Sequence, residues 1–212
     1  GYLGRAWAKR IEHPGRFTAA TFLHLLARRG IVVEGRRIQR CRAPRRARPL
    51  QVLRSAPLGA LVRRMNKVSS NFMAEQLLKV LGAERYGTPG TWAKGLRVVA
   101  DYLARLGIKR GSYTLKNGSG LYDASAISPR QLVRVLRAAY HDFRYGPDYL
   151  ASLPVAAIDG TLARRFVGSG AERYVRAKTG TLAQVVSLSG VAGASKGLRR
   201  RLLFSFLVTA LP

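Results

Sequence analysis

The hydrophobic period of the chain changes once, and it changes late. Five apolar stripes at three- and four-residue spacing come first. They are Ala19, Phe22, Leu23 and Leu26, ending before Gly30; Leu58, Leu61, Val62 and Met65; Met73, Leu77, Val80 and Leu81, ending before Gly82; Trp92, Leu96, Val99 and Leu103; and Leu132, Val135, Leu136 and Ala139. Thr88 and Pro89 lead into the fourth and Gly107 closes it, while Ser128 and Pro129 start the fifth. The runs Arg173 to Lys178, Val185 to Val191 and Leu202 to Thr209 then read as strands: short, rich in valine, leucine and phenylalanine, and bounded by glycine. Gly193 to Gly197 reads as the hairpin connection between the last two. Helices first and antiparallel strands last predict an α+β fold and exclude alternating βαβ units.

A chain of 212 residues that is 47% hydrophobic can bury a core of one or two domains. It has no apolar run of membrane-spanning length, and GYLGRAWAKR at its start lacks the apolar middle of a secretory signal. The single cysteine, Cys41, excludes an internal disulfide and a thiolate zinc site. His13, His24 and His141 are scattered over helical or loop text and suggest neither a triad nor a metal site. With 38 basic and 10 acidic residues the chain attracts polyanions of any kind. The densest run, Glu34 to Pro49, is arginine-rich and broken by Pro44 and Pro49, but the charge continues thinly along the whole chain instead of forming a stripe with interleaved aromatics. The charge does not say which polyanion: a nucleic-acid partner is not expected, and an anionic envelope surface is one candidate.

The stretch VRAKTGTLAQVVSLSG, Val175 to Gly190, places an ammonium inside a short apolar strand. An unpaired buried ammonium is costly, so Lys178 must either reach an edge or face a cleft with a partner. Thr179 adds a hydroxyl, and Gly180 lets another backbone approach closely. Together they suit an edge where an extended peptide docks with its free carboxylate against Lys178 and Thr179. Ser69, Ser70 and Asn71 fall between two helical stripes. Residues two apart diverge on a helix, so Ser69 and Asn71 converge on one site only from a turn, and helix capping is the rival role.

K-T-G and S-x-N are two of the three signatures of active-site-serine penicillin-recognising enzymes. The wider blocks MNKVSSNFMAEQLLKVLG, NGSGLYDASAISP, AAIDGTLARRF and VRAKTGTLAQVVSLSG resemble the D-alanyl-D-alanine carboxypeptidase/endopeptidase family of low-molecular-mass class C penicillin-binding proteins, from about Pro14 to the C-terminus. The resemblance implies a partial penicillin-binding protein/β-lactamase-like fold and an acyl-enzyme mechanism on peptidoglycan stem peptides, with β-lactams as competing ligands. Ser69 would relay a proton to the departing amine, Asn71 would hold the substrate amide, and Lys178 and Thr179 would grip the carboxylate. Gly180 and Thr181 would complete the substrate strand, the Thr181 N–H supplying half of an oxyanion hole. No metal or cofactor is implied, and the implied location is the periplasm or cell envelope.

No serine here is followed three positions later by lysine, so the S-x-x-K nucleophile is missing. Thr91 to Lys94 lies in an amphipathic helix, and Ser119 in NGSGL has a loop role rather than that of a nucleophile. The resemblance therefore implies a C-terminal fragment that is inactive alone. Residues 1–56 would hold a helix and a return segment with short strands from inserted domains. Residues 57–212 would form a partial peptidase domain, with a helical lobe over 57–170 and strands over 171–212. Ala157 and Gln184 stand where the family has glycine, Val191 where it has an aromatic and Ser125 where it has asparagine. A catalytically silent cell-wall-binding relative and a basic nucleic-acid binder are the rival readings.

Overall fold

The computed structural model describes residues 11–35, 37–44, 46–122, 125–193 and 200–209. Two compact units divide the chain, Gly1–Arg54 and Ser55–Pro212. In the first, α1 (Pro14–Arg28) opens on Pro14, whose fixed φ suits a first helical turn. The hydroxyls of Thr18 and Thr21 donate to the carbonyls of Pro14 and Phe17 at 2.9 and 2.8 Å. Gly30, at φ 74°, turns the chain out of the helix. The short strands expected after α1 are not found among the described residues before Leu58.

The second unit begins with α2 (Leu58–Val68), α3 (Asn71–Tyr86) and α4 (Trp92–Arg105). The stripe that stopped at Gly82 does not end the helix, and α3 continues four residues further, to Tyr86. Gly82 is where α4 crosses: a Cβ there would lie 2.6 Å from the Gly95 nitrogen, and a Cβ on Gly95 would lie 2.1 Å from the Leu78 carbonyl oxygen. Both glycines serve backbone contact between helices, which a propensity reading mistakes for a stop. Gly107 does close α4: at φ 73° it donates to Ala104 O at 2.9 Å while Ile108 N–H reaches Leu103 O at 3.0 Å, a left-handed cap.

Ser128 and Gln131 then form a reciprocal capping box, starting α5 (Pro129–His141). A short α6 (Gly146–Ser152) and a 3-10 turn (Gly160–Leu162) follow, both too brief to show a stripe. Three strands, β1 (Val175–Thr181), β2 (Val185–Ala192) and β3 (Leu202–Thr209), pair antiparallel in the order β1-β2-β3, with Lys178 opposite Ser189 and Ser189 opposite Ser205. The first strand starts later than its composition suggests, because Arg173 sits at φ 63°, a left-handed turn conformation, and it runs on through Thr181. The hairpin expected at Gly193 to Gly197 falls almost wholly outside the described residues.

Alternation decides what each sheet face meets. Val175 and Ala177 of β1 point to one side, where they join Ala156 and Leu162 in a buried cluster flanked by Leu188, Ala192 and Phe204. Arg176, Lys178 and Gly180 point to the other. Since β1 is a sheet edge, part of it needs another partner: Ala156 N–H donates to Val175 O at 2.9 Å and Ala177 N–H donates to Pro154 O at 3.0 Å. That pairing covers the first half of the edge. By the same alternation, the next outward-facing backbone groups belong to Thr179 and Thr181.

Candidate active site

Ser69 ends α2 in the left-handed conformation, φ 54° and ψ 51°, while Ser70 N–H closes back on Met65 O at 3.0 Å. Glycine is the usual occupant of such a position, and a serine there costs about 1–2 kcal/mol of backbone strain. A side chain is present where none would be easier to hold, an arrangement that marks functional turns. Capping falls to its neighbour: Ser70 Oγ accepts from Met73 N–H at 3.3 Å and starts α3. Ser69 is thereby freed for another partner.

That partner is Lys178, 109 residues away, whose ammonium donates to Ser69 Oγ at 2.6 Å and to its own strand's Thr179 carbonyl at 2.7 Å. Burial lowers the Lys178 pKa, because half of its surroundings cannot solvate a charge. The ion pairs among the described residues join Lys67 to Asp159, Arg110 to Asp101 and Arg144 to Asp142, and none reaches Lys178. Among the described residues a partly desolvated cation thus faces two neutral oxygens and no carboxylate. Ser69 Oγ accepts from this ammonium and so keeps its own proton to donate.

Asn71 occupies the first turn of α3 with its side chain exposed and no side-chain bond among the described residues. Thr179 leaves the opposite strand face from Lys178 and donates its hydroxyl to Thr161 Oγ1 at 2.8 Å. A ligand lying along an edge strand can still reach side chains of both faces. Gly180 has a different reason from the expected backbone approach: the Ser187 hydroxyl fills its side-chain space, 2.4 Å from where a Cβ would stand. Thr181 is exposed at the end of β1, just before Leu182 N–H closes the turn on Val185 O at 2.8 Å. The structure therefore joins Ser69 to Lys178 directly, sends the Thr179 side chain from the other strand face to Thr161, leaves the Asn71 side chain exposed at the start of α3, and puts Thr181 at the exposed end of β1.

Other polar residues around this place carry no local sequence signal. Lys67 Nζ donates to both oxygens of Asp159 at 2.7 Å and to Leu153 O at 2.6 Å, clamping the last turn of α2 onto the segment that covers β1. Burial pushes the Asp159 carboxyl up, but hydrogen bonds from Lys67 and the Val155 N–H, with the charges of Lys67 and Arg176, outweigh it and hold the pKa below its usual value. Asn66 is buried and donates to Ser152 Oγ at 2.8 Å, fixing α2 to α6. On the other side Glu75 of α3 accepts from Trp92 Nε1 at 2.7 Å and from the backbone N–H groups of Gly118 and Ser119 at 3.1 and 2.9 Å. Desolvation raises the Glu75 pKa less than these donors lower it. Ser119 is accordingly a loop anchor: its backbone is held by Glu75 and its hydroxyl accepts from Leu121 N–H at 3.4 Å.

The D-Ala-D-Ala carboxypeptidase 3 (S13) family matches residues 2–211 of this chain. A D-alanyl-D-alanine carboxypeptidase of an Actinomadura strain is 37% identical over 148 residues, which is 68% of this chain and 27% of that protein. The D-alanyl-D-alanine carboxypeptidase DacB of Haemophilus influenzae is 30% identical over 147 residues, 68% of this chain and 30% of that one. Among solved structures, penicillin binding protein 4 (dacB) of Haemophilus influenzae, complexed with a β-lactam, superposes with a TM-score of 0.82 at 26% identity, over 95% of this chain and 46% of that chain. A predatory endopeptidase of Bdellovibrio bacteriovorus in complex with an immunity protein shares the fold at a TM-score of 0.62 and 20% identity, over 98% of this chain and 52% of that one. The chain thus spans under a third of the length of these curated relatives and about half that of these solved chains.

Proposed function

Since the chain belongs to the D-Ala-D-Ala carboxypeptidase 3 (S13) family, we propose that it supplies the substrate-recognition and proton-relay half of a serine-type carboxypeptidase/endopeptidase site for peptidoglycan peptides. One observation carries this reading: the half-buried Lys178 ammonium is bonded to Ser69 Oγ at 2.6 Å and has no carboxylate partner among the described residues. An anion is the missing complement, and a peptide bearing a free C-terminal carboxylate supplies one at an edge strand that also offers backbone pairing. The peptide would lie along the open half of β1, its carboxylate against Lys178 and the Thr179 hydroxyl. The exposed Asn71 amide would bond the peptide's amide group, and Thr181 N–H would meet a carbonyl oxygen.

In the reaction of the intact site, acylation of a serine requires a proton for the departing D-alanine amine. Ser69 would make that delivery: the ammonium donating to its oxygen makes its own O–H a better donor. The nucleophile is not among these residues, as no serine stands three positions before a lysine. In this reading the chain binds such peptides and β-lactams without turning over either, and the whole protein acts in the cell envelope. Incubation with a penicillin followed by intact mass measurement should give no penicilloyl adduct, while an acetylated Lys-D-Ala-D-Ala peptide should shift the Lys178 and Thr179 amide signals by NMR. A stable covalent adduct would overturn the missing-nucleophile part. Peptide shifts that persist in Lys178→Ala would overturn the site.

A further inference from the structure

The 3-10 turn Gly160–Leu162 touches both halves of the site. On one side it presses against α2: a Cβ on Gly160 would stand 2.7 Å from Lys67 O, two residues before Ser69, and Gly160 itself sits at φ 59°. On the other side Thr161 meets the Thr179 hydroxyl at 2.8 Å, and Leu162 packs with Val175 and Ala177 of β1. The turn does not float between them. Asp159, the residue before it, receives the Lys67 ammonium on both oxygens and the Val155 N–H on one, and the Lys67 side chain is only 15% exposed. Thr161 is consequently fixed relative to the turn that carries Ser69 and also to the strand that carries Lys178.

From this geometry we infer that Thr161 is a positioning residue for carboxylate recognition, acting through the Thr179 hydroxyl. The inference rests on the reading of the site as a carboxylate-binding edge. The backbone restricts a threonine χ1 to a few staggered states, and the partner of its hydroxyl selects among them. The Thr161 bond holds the Thr179 hydroxyl in one rotamer before any ligand arrives. A hydroxyl carries one proton, so when a carboxylate docks, the Thr179 proton turns to the anion and Thr161 donates its own proton to the Thr179 oxygen. The two hydroxyls then form a chain, Thr161 to Thr179 to carboxylate, in which each bond polarises the next. No donor is lost on binding and no rotamer has to be ordered. A ligand without the negative charge draws little on this chain.

The test compares two acetylated Lys-D-Ala-D-Ala peptides, one ending in the free acid and one in the amide, titrated by NMR into the chain and its variants. The native chain should prefer the acid. Thr161→Val should weaken acid binding about threefold to tenfold, the equivalent of one side-chain rotamer left unordered, and leave amide binding unchanged. Thr161→Ser should restore the preference, because it keeps the hydroxyl. Thr161→Ala, which crowds nothing, should repeat the acid-specific loss if the valine disturbs folding. Equal weakening of acid and amide would reveal a merely structural role and overturn the inference, as would an unchanged preference in Thr161→Val and Thr161→Ala. A native chain that does not distinguish acid from amide would overturn the site reading itself, and this inference with it.

Discussion

Gly95→Ala sets two effects of opposite sign against each other in the helix pair that carries Asn71. Gly95 lies inside α4, where alanine is the better helix former by about 0.8–1.0 kcal/mol, so propensity alone favours the substitution. Packing opposes it. The added methyl would stand 2.1 Å from Leu78 O and 2.8 Å from Leu78 C, both backbone atoms of α3 that cannot rotate away. Gly82 closes the other flank, its own Cβ position lying 2.6 Å from the Gly95 nitrogen, so neither helix has a spare direction in which to slide. Restoring an ordinary carbon–oxygen contact requires the helices to part by roughly 1 Å, and overpacking of this kind costs about 1–3 kcal/mol, with the upper end apt where both partners are backbone. The net expectation is a loss of about 1–2 kcal/mol, or a fall of roughly 2–8 °C in the thermal midpoint for a unit of this size. Gly59→Ala is the control: it is also helical, but its nearest neighbour would be Asp148 Cγ at 4.0 Å, so propensity acts alone and the midpoint should hold or rise. Thermal and urea unfolding followed by circular dichroism, with native chain, variant and control side by side, measures both. A Gly95→Ala chain as stable as the native one, or more so, would refute the close-crossing argument.

Backbone strain supplies another expectation: Ala157 sits at φ 59° while its N–H donates to Leu162 O and Arg165 O at 3.0 Å each, so Ala157→Gly should raise stability by about 0.5–1 kcal/mol once the extra freedom of unfolded glycine is subtracted. A lower thermal midpoint would show that the alanine methyl contributes packing worth more than its strain. Binding should also depend on pH with a definite sign. Only the protonated Lys178 attracts a carboxylate, and burial holds its pKa below 10.5, so affinity for the acid-ended peptide should fall as the pH rises and should do so before an ordinary lysine would titrate. Affinity that stays level until pH 10.5 is passed would contradict the partial burial of that ammonium.

The local conformations were legible because they depend on local chemistry. Stripes such as Leu58, Leu61, Val62 and Met65 can be read as helix since neighbours three and four apart share a face, and Gly107 could be read as a cap because left-handed φ selects glycine. Lys178, Thr179 and Gly180 stood out for the same reason, being polar or small where a strand interior wants bulk. Local rules also explain the misreadings. Gly82 reads as a stop, yet its role is set by Gly95, 13 residues later in the chain and pressed against it in the crossing. Arg173 reads as strand until its φ of 63° places it in a turn.

No periodicity encodes the meeting of Ser69 with Lys178, nor the bonds that tie Lys67 to Asp159 and Thr161 to Thr179. Those distances follow from the register of a three-stranded sheet, the segment that covers its edge, and a left-handed serine at the end of α2. Residue types and spacing were enough to set the longer helices and the three strands to within a few residues, and the chemical character of the site's two halves, since each of these is decided locally. Folding alone brought the halves together, because a bond across 109 residues exists only once packing has placed both ends.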